Sequence, residues 1–174
     1  MKLIELHNFG DDGFQQTERG TPTPCIGEVV IKVHAASLNF RDFLIAKGLY
    51  NPNIELPLVP LSDGSGEVVA VGNDVAEFTV GDRVTSVFWQ DWNINSSNRM
   101  ISTGSDAAGV LSEYAVLPKD AVLPIPDYMS YQEAQPYHVL LSLHGLVSMQ
   151  PTLDLGIQSC FLEQAAFLFL PYRF

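Results

Sequence analysis

The chain has 174 residues, enough for one domain or for one domain and a fragment of a second, and its 47% hydrophobic content can fill a core. Nine Lys and Arg against 20 Asp and Glu give a formal charge of −11, which repels phosphate backbones and anionic lipid, so no nucleic-acid partner is expected. Two cysteines, Cys25 and Cys160, cannot build a disulfide framework or a four-thiolate zinc site; they suit a reducing compartment, and a cytoplasmic location is expected. The start has no apolar run of signal-peptide length, and no segment approaches the roughly 20 apolar residues of a membrane span. No membrane partner is expected either.

In chain order, Lys2 to His7 alternates as a short strand. Thr21-Pro22-Thr23-Pro24 is a stiff loop. Glu28 to Ala36 is valine-rich and alternating, a half-buried strand. Phe40, Phe43 and Leu44 carry helical spacing within Asn39 to Lys47, and Gly48 stands where it would end that helix. Pro52, Pro57 and Pro60 punctuate an extended segment. Glu67 to Val71 reads as a strand closed by Gly72-Asn73-Asp74, and Val80-Gly81-Asp82 as the turn before a strand from Arg83 to Phe88. Trp89 to Ala107 is a long polar loop, followed by strands Gly109 to Leu117 and Ala121 to Ile125. Ser130 with Glu133 is a capping-box start to a helix. After Gln135 the only charged residues are Asp154, Glu163 and Arg173, and the pattern loses its regularity. The expected fold is mostly β, a small partly open barrel or sandwich with one or two short helices over residues 1–134, plus an irregular or helical tail over 135–174.

Motifs that carry chemistry are sparse. Asp63-Gly64-Ser65-Gly66 resembles a phosphate loop only superficially: such loops open a helix, whereas these glycines lead into the β-branched Val68-Val69. A tight turn or close backbone contact is the expectation. His7, His34, His138 and His144 have no Cys or carboxylate at ligand spacing, and Cys25 has no basic neighbour to lower its pKa. Phe88, Trp89 and Trp92 either line an apolar pocket or pack their loop onto the barrel, with loop packing preferred.

Three segments, EVVIKVHAASLNFRDFLIAKGLY, LPLVPLSDGSGEVVAVGNDVAEFTVGDRV and GVLSEYAVLPKDAVLPIPDYMSYQEA, together resemble the N-terminal GroES-like catalytic domain of the medium-chain dehydrogenase/reductases over nearly all of residues 1–134. The resemblance implies a GroES-like partly open β-barrel that packs on a Rossmann cofactor domain. In the zinc-dependent alcohol dehydrogenases the position of Asn39 is a zinc-binding cysteine and that of Ser62 a zinc-binding histidine, while Asp63 replaces a glutamate. The loop after Trp89 lacks the structural-zinc cysteines. An amide and a hydroxyl are poor zinc ligands, so no metal is expected. The chain resembles the zinc-free, quinone oxidoreductase-like branch, where LNFRD and GLY are typical.

That resemblance implies hydride transfer between NADP or NAD and a quinone, enone, aldehyde or alcohol. Asn39 and Tyr50 are the expected donors to the reacting oxygen, with Ser62 a further catalytic candidate. Asn39 and Arg41 are the candidate cofactor-binding residues, and Arg41 and Asp42 either hold the local structure or touch cofactor phosphates. Full-length family members are often dimers. The alternatives are a GroES-like binding module that catalyses nothing, or a gene product without function.

The family continues after Glu133-Ala134 with EAATLPCAAVTAW, then GDTVL and a GTGGVS-type pyrophosphate loop. Here residues 135–174 resemble none of this in frame. Taking the third base of each codon with the first two of the next, however, permits ATLPCAAVTAW from Ala134, GDTVL up to Cys160 and GTGGVSIFALQ over Leu162 to Arg173. Tyr137-His138 permits only Pro or Ser in that frame, His138-Val139 only Cys or Arg, and His144-Gly145 only Trp or Arg. Residues 135–174 are therefore expected to be an out-of-frame remnant of the cofactor domain, or else an evolved tail. Little or no NAD(P)H binding is expected of the truncated chain.

Overall fold

A computed structural model describes residues 1–90 and 101–134. The proposed tail from residue 135, its shifted-frame reading, and Trp92 lie outside the described residues. The described chain is mostly β, as the alternating patterns imply. Its strands are β1 (Lys2–Leu6), β2 (Phe14–Glu18), β3 (Glu28–Ser37), β4 (Asp63–Val71), β5 (Arg83–Ser86), β6 (Trp89–Gln90), β7 (Ile101–Ser102), β8 (Tyr114–Pro118) and β9 (Val122–Pro124). Two short helices accompany them, α1 (Phe40–Ala46) and α2 (Tyr131–Ala134).

An antiparallel five-stranded sheet in the order β8-β3-β4-β5-β9 forms the frame. β1 and β2 make a separate ribbon, which touches the rest through bridges from Leu3 to Ser112 and from Leu6 to Leu58. The sheets do not close, so the barrel is partly open. Val29, Ile31, Val68, Val84, Val110, Leu117 and Val122 fill one core. A second cluster joins Leu6 of β1 to Ile45 of α1 and to Ile54 and Leu58 of the proline-rich segment.

β3 is longer than expected and carries an irregularity between Val33 and Ala35, which leaves His34 unpaired against β4. His34 stacks on Tyr131 of α2, ring centroids 4.5 Å apart. The capping box before α2 forms as expected: Ser130 N and Oγ donate to Glu133 Oε2 at 2.9 and 2.7 Å, and Glu133 N donates to Ser130 Oγ at 3.2 Å.

Several expectations need correction. β2 has no apolar alternation and was not foreseen; it pairs with β1, where buried Glu5 accepts hydrogen bonds from Thr17 at 2.7 Å and from Arg19. β4 begins at Asp63, so the glycine-rich run is strand rather than turn. The close approach is real: a Cβ on Gly66 would stand 2.1 Å from the Lys32 carbonyl oxygen. Gly109 to Ser112 is not regular strand, because its N–H groups turn to the proline segment, with Gly109 N to Val59 O at 2.7 Å and Val110 N to Leu61 O at 3.0 Å. The loop after Phe88 contains the small β6–β7 ribbon. In α1 the buried residues are Asp42, Ile45 and Ala46, while Phe40 and Phe43 are 66% and 51% exposed and stack on each other.

Candidate functional site

The candidate residues converge where β3 ends and β4 begins. Strand register pairs Ser37 with Asp63. The chain then passes through Leu38 to Asn39, the residue that caps α1. Positions 24 apart in sequence thereby become neighbours, and Asn39 Nδ2 donates to Asp63 Oδ2 at 2.6 Å. Asp42, in the first turn of α1, reaches back to accept the Asn39 backbone N–H at 2.8 Å. Asn39 thus lies between two buried carboxylates, one engaging its main chain and the other its side chain.

Ser86 of β5 ties down the segment Ser62 to Gly64, where β4 begins. Ser86 Oγ donates to Ser62 O at 2.8 Å and accepts from Gly64 N at 2.9 Å. Asp63 is 1% exposed, and burial pushes its carboxyl up to about 6. The Asn39 hydrogen bond opposes that rise, neighbouring Asp42 adds to it, and Arg41 opposes it. Burial also raises Asp42, against the Asn39 hydrogen bond and Arg41. The neighbouring Ser62 hydroxyl also opposes the rise at Asp63, and Asp42 Oδ1 is buried with no hydrogen-bond partner among the described residues. Ser62 is itself only 1% exposed, so its hydroxyl faces the interior.

Arg41 leaves α1 in another direction. Its Nη1 donates to Thr103 O at 3.0 Å, and its Nη2 reaches Ser102 Oγ at 3.2 Å and Ser105 Oγ at 2.6 Å. Its guanidinium carbon lies 4.9 Å from the centroid of the Tyr50 ring and 4.6 Å from that of Phe88. Trp89 meets Phe88 edge-on at 4.6 Å. The preferred reading of these aromatics as loop packing fits that arrangement. Tyr50 stays 43% exposed at the edge of the group.

The structure therefore brings Asn39, Arg41, Tyr50 and Ser62 into one region. It adds Asp63, noted in the sequence only as a replaced glutamate, and the Ser102–Ser105 anchor, which no local pattern signalled. The site does not fit zinc. The amide at position 39 is committed to a carboxylate, position 62 offers a hydroxyl, and among the described residues no three His, Cys, Asp or Glu side chains stand together to hold a metal.

The sequence matches the alcohol dehydrogenase GroES-like domain over residues 26–127. It is 40% identical over 111 residues to a zinc-type alcohol dehydrogenase-like protein of Schizosaccharomyces pombe, covering 62% of this chain and 32% of that protein. It is 31% identical over 135 residues to the quinone oxidoreductase of Sus scrofa, covering 76% of this chain and 36% of the relative. Among solved structures it resembles an NAD-dependent alcohol dehydrogenase, with TM-score 0.71 and 30% identity over 77% of this chain and 42% of that one. It also resembles Escherichia coli quinone oxidoreductase complexed with NADPH, with TM-score 0.63 and 26% identity over 77% of this chain and 36% of that one. The chain thus spans about a third of the length of the two curated relatives just compared. No helix among the described residues is long and apolar enough to cross a membrane. With the domain match covering more than half its length, this chain belongs to the alcohol dehydrogenase GroES-like domain family of the medium-chain dehydrogenase/reductases.

Proposed function

We propose that residues 1–134 are the substrate-side domain of a zinc-independent, NAD(P)H-dependent oxidoreductase that reduces a quinone, enone or aldehyde, or oxidises the corresponding alcohol. The observation that carries this reading is the Asn39–Asp63 hydrogen bond, at the place where the zinc-dependent relatives have their metal ligands. A nicotinamide cofactor supplies or accepts the hydride. As hydride reaches the substrate carbon, an electron pair moves onto the substrate oxygen, and without a Lewis acid hydrogen-bond donors must meet that charge. One N–H of the Asn39 amide goes to Asp63; the second, on a half-buried residue, serves the oxygen. The Tyr50 hydroxyl is the partner donor, its ring held against the Arg41 guanidinium. Arg41 keeps the 102–105 segment in place through its terminal nitrogens and acts as a positioning residue.

The test is NADPH oxidation with a quinone or enone acceptor, in a form of this protein that carries a dinucleotide-binding domain after residue 134. Asn39→Ala together with Tyr50→Phe is expected to lower kcat by roughly 100-fold or more, the scale of lost oxyanion donors. Unchanged turnover in that double variant would remove the assignment.

A further inference from the structure

We propose that Asp63 is the positioning residue for the Asn39 amide: its carboxylate decides which end of the amide faces inward and therefore which end is offered to substrate. The proposal rests on the reading of Asn39 as a donor and adds the device that orients it. An Asn side chain has an oxygen end and a nitrogen end of nearly the same shape, so packing alone does not select between them. An ionised carboxylate is acceptor-only and selects the nitrogen. The 2.6 Å contact from Asn39 Nδ2 to Asp63 Oδ2 is that selection.

The site is built to keep the contact dry. Asp63 is 1% exposed, so water does not compete for the carboxylate. The charged groups acting on Asp63 are Asp42 and Arg41, both of α1. From β3 and β5 its neighbours in the pairing and hydrogen-bond network are the neutral Ser37 and Ser86.

Protonation removes the selection. A neutral Asp63 offers both an O–H donor and a C=O acceptor, so either end of the amide can face it. Because burial raises Asp63 to about 6, the orientation is held at neutral pH and loosened in mild acid.

The experiment is a pH titration of the Asn39 side-chain NH2 signals by NMR in the full chain, from about pH 3 to 8, a range that spans the raised carboxyl and its ordinary value. The expected result is an inflection near 6 in the unmutated protein, lost in Asp63→Asn. Asn39 signals that do not change over that range overturn the proposal, and so does the same inflection in Asp63→Asn. The titration of the unmutated chain decides even where the variant fails to fold. Unchanged turnover in the variant that combines Asn39→Ala with Tyr50→Phe would sink the donor role and leave this titration intact, so the two failures are distinguishable.

Discussion

At the scale of single residues, Asp63 couples the site to stability. A carboxyl whose pKa is raised by folding binds its proton more tightly in the folded state. Its contribution to stability is therefore present at low pH and is lost as pH rises from its ordinary 3.8 through about 6. The loss is of the order of 3 kcal/mol for a shift of this size. Asp42 is raised too and acts in the same direction. Thermal melts are expected to show a higher Tm near pH 5 than near pH 7, and Asp63→Asn is expected to flatten part of that difference while leaving the share due to Asp42. An Asp63→Asn profile as steep as the unmutated one would show that the carboxyl does not titrate in this range. Near Asn39 the sequence made the missing zinc ligands visible, because Asn39 and Ser62 stand in recognisable local motifs. The role of Asp63 was not legible, because its partner lies 24 positions away and the two meet only through the pairing of Ser37 with Asp63.

At the scale of elements, the β3–β4 pair sets the geometry of the site, and glycines let its backbones come close. A Cβ at Gly66 would lie 2.1 Å from the Lys32 carbonyl oxygen, so the two strands would have to part. At Gly64 the obstacle is buried Val110, whose Cγ2 and Cβ stand 2.8 and 2.9 Å away, so turning the side chain does not clear it. Gly66→Ala is expected to cost about 3 kcal/mol or more, and Gly64→Ala to be destabilising as well. Urea unfolding of the two variants measures this, and an unchanged midpoint for Gly66→Ala would refute the close approach. α1 forms where the spacing implies a helix, and contacts outside the helix set which face it buries. Phe40, Phe43 and Leu44 mark an apolar stripe, yet the helix is rotated by specific ties: the Asn39 and Asp42 cap at its start, the reach of Arg41 to Ser105, and Ile45 set among Leu6, Ile54 and Leu58. Phe40 and Phe43 are left outward and stack on each other, and Leu38 and Leu49 are exposed as well. α2 is secured by its foreseen capping box and also by contacts no local pattern announces. Ser65 Oγ donates to Tyr131 O at 2.7 Å, and Arg83 lies over the Tyr131 ring.

At the scale of the whole molecule, the proposed activity needs a dinucleotide grip that is not found among the described residues. A pyrophosphate is bound by a glycine-rich turn opening a helix, and the glycine-rich run here is a strand. We propose that residues 135–174 are a shifted-frame remnant of the domain that carries that turn. Two measurements follow from this one proposal. The coding DNA across codons 130 to 174 is expected to read GDTVL and a GTGGVS-type loop in the alternative frame. The purified chain is expected to bind NADPH no more tightly than millimolar in a fluorescence titration. A micromolar Kd, or an alternative frame without the glycine-rich loop, contradicts it.

The sequence by itself determined the class of the fold, the order of most of its strands, the start of α2, the end of α1 at Gly48 and the absence of the usual zinc ligands. These features depend on residues a few positions apart, where alternation, capping and turn chemistry act directly. Tertiary structure alone decided that Asn39 is tied to Asp63, that Arg41 is spent on Ser102 to Ser105, that β2 pairs with β1 and that α1 turns its phenylalanines outward. Each of those depends on which distant strands and loops come into register, and a hydrogen bond reaching 24 or 64 positions along the chain leaves no periodic trace in the sequence that makes it.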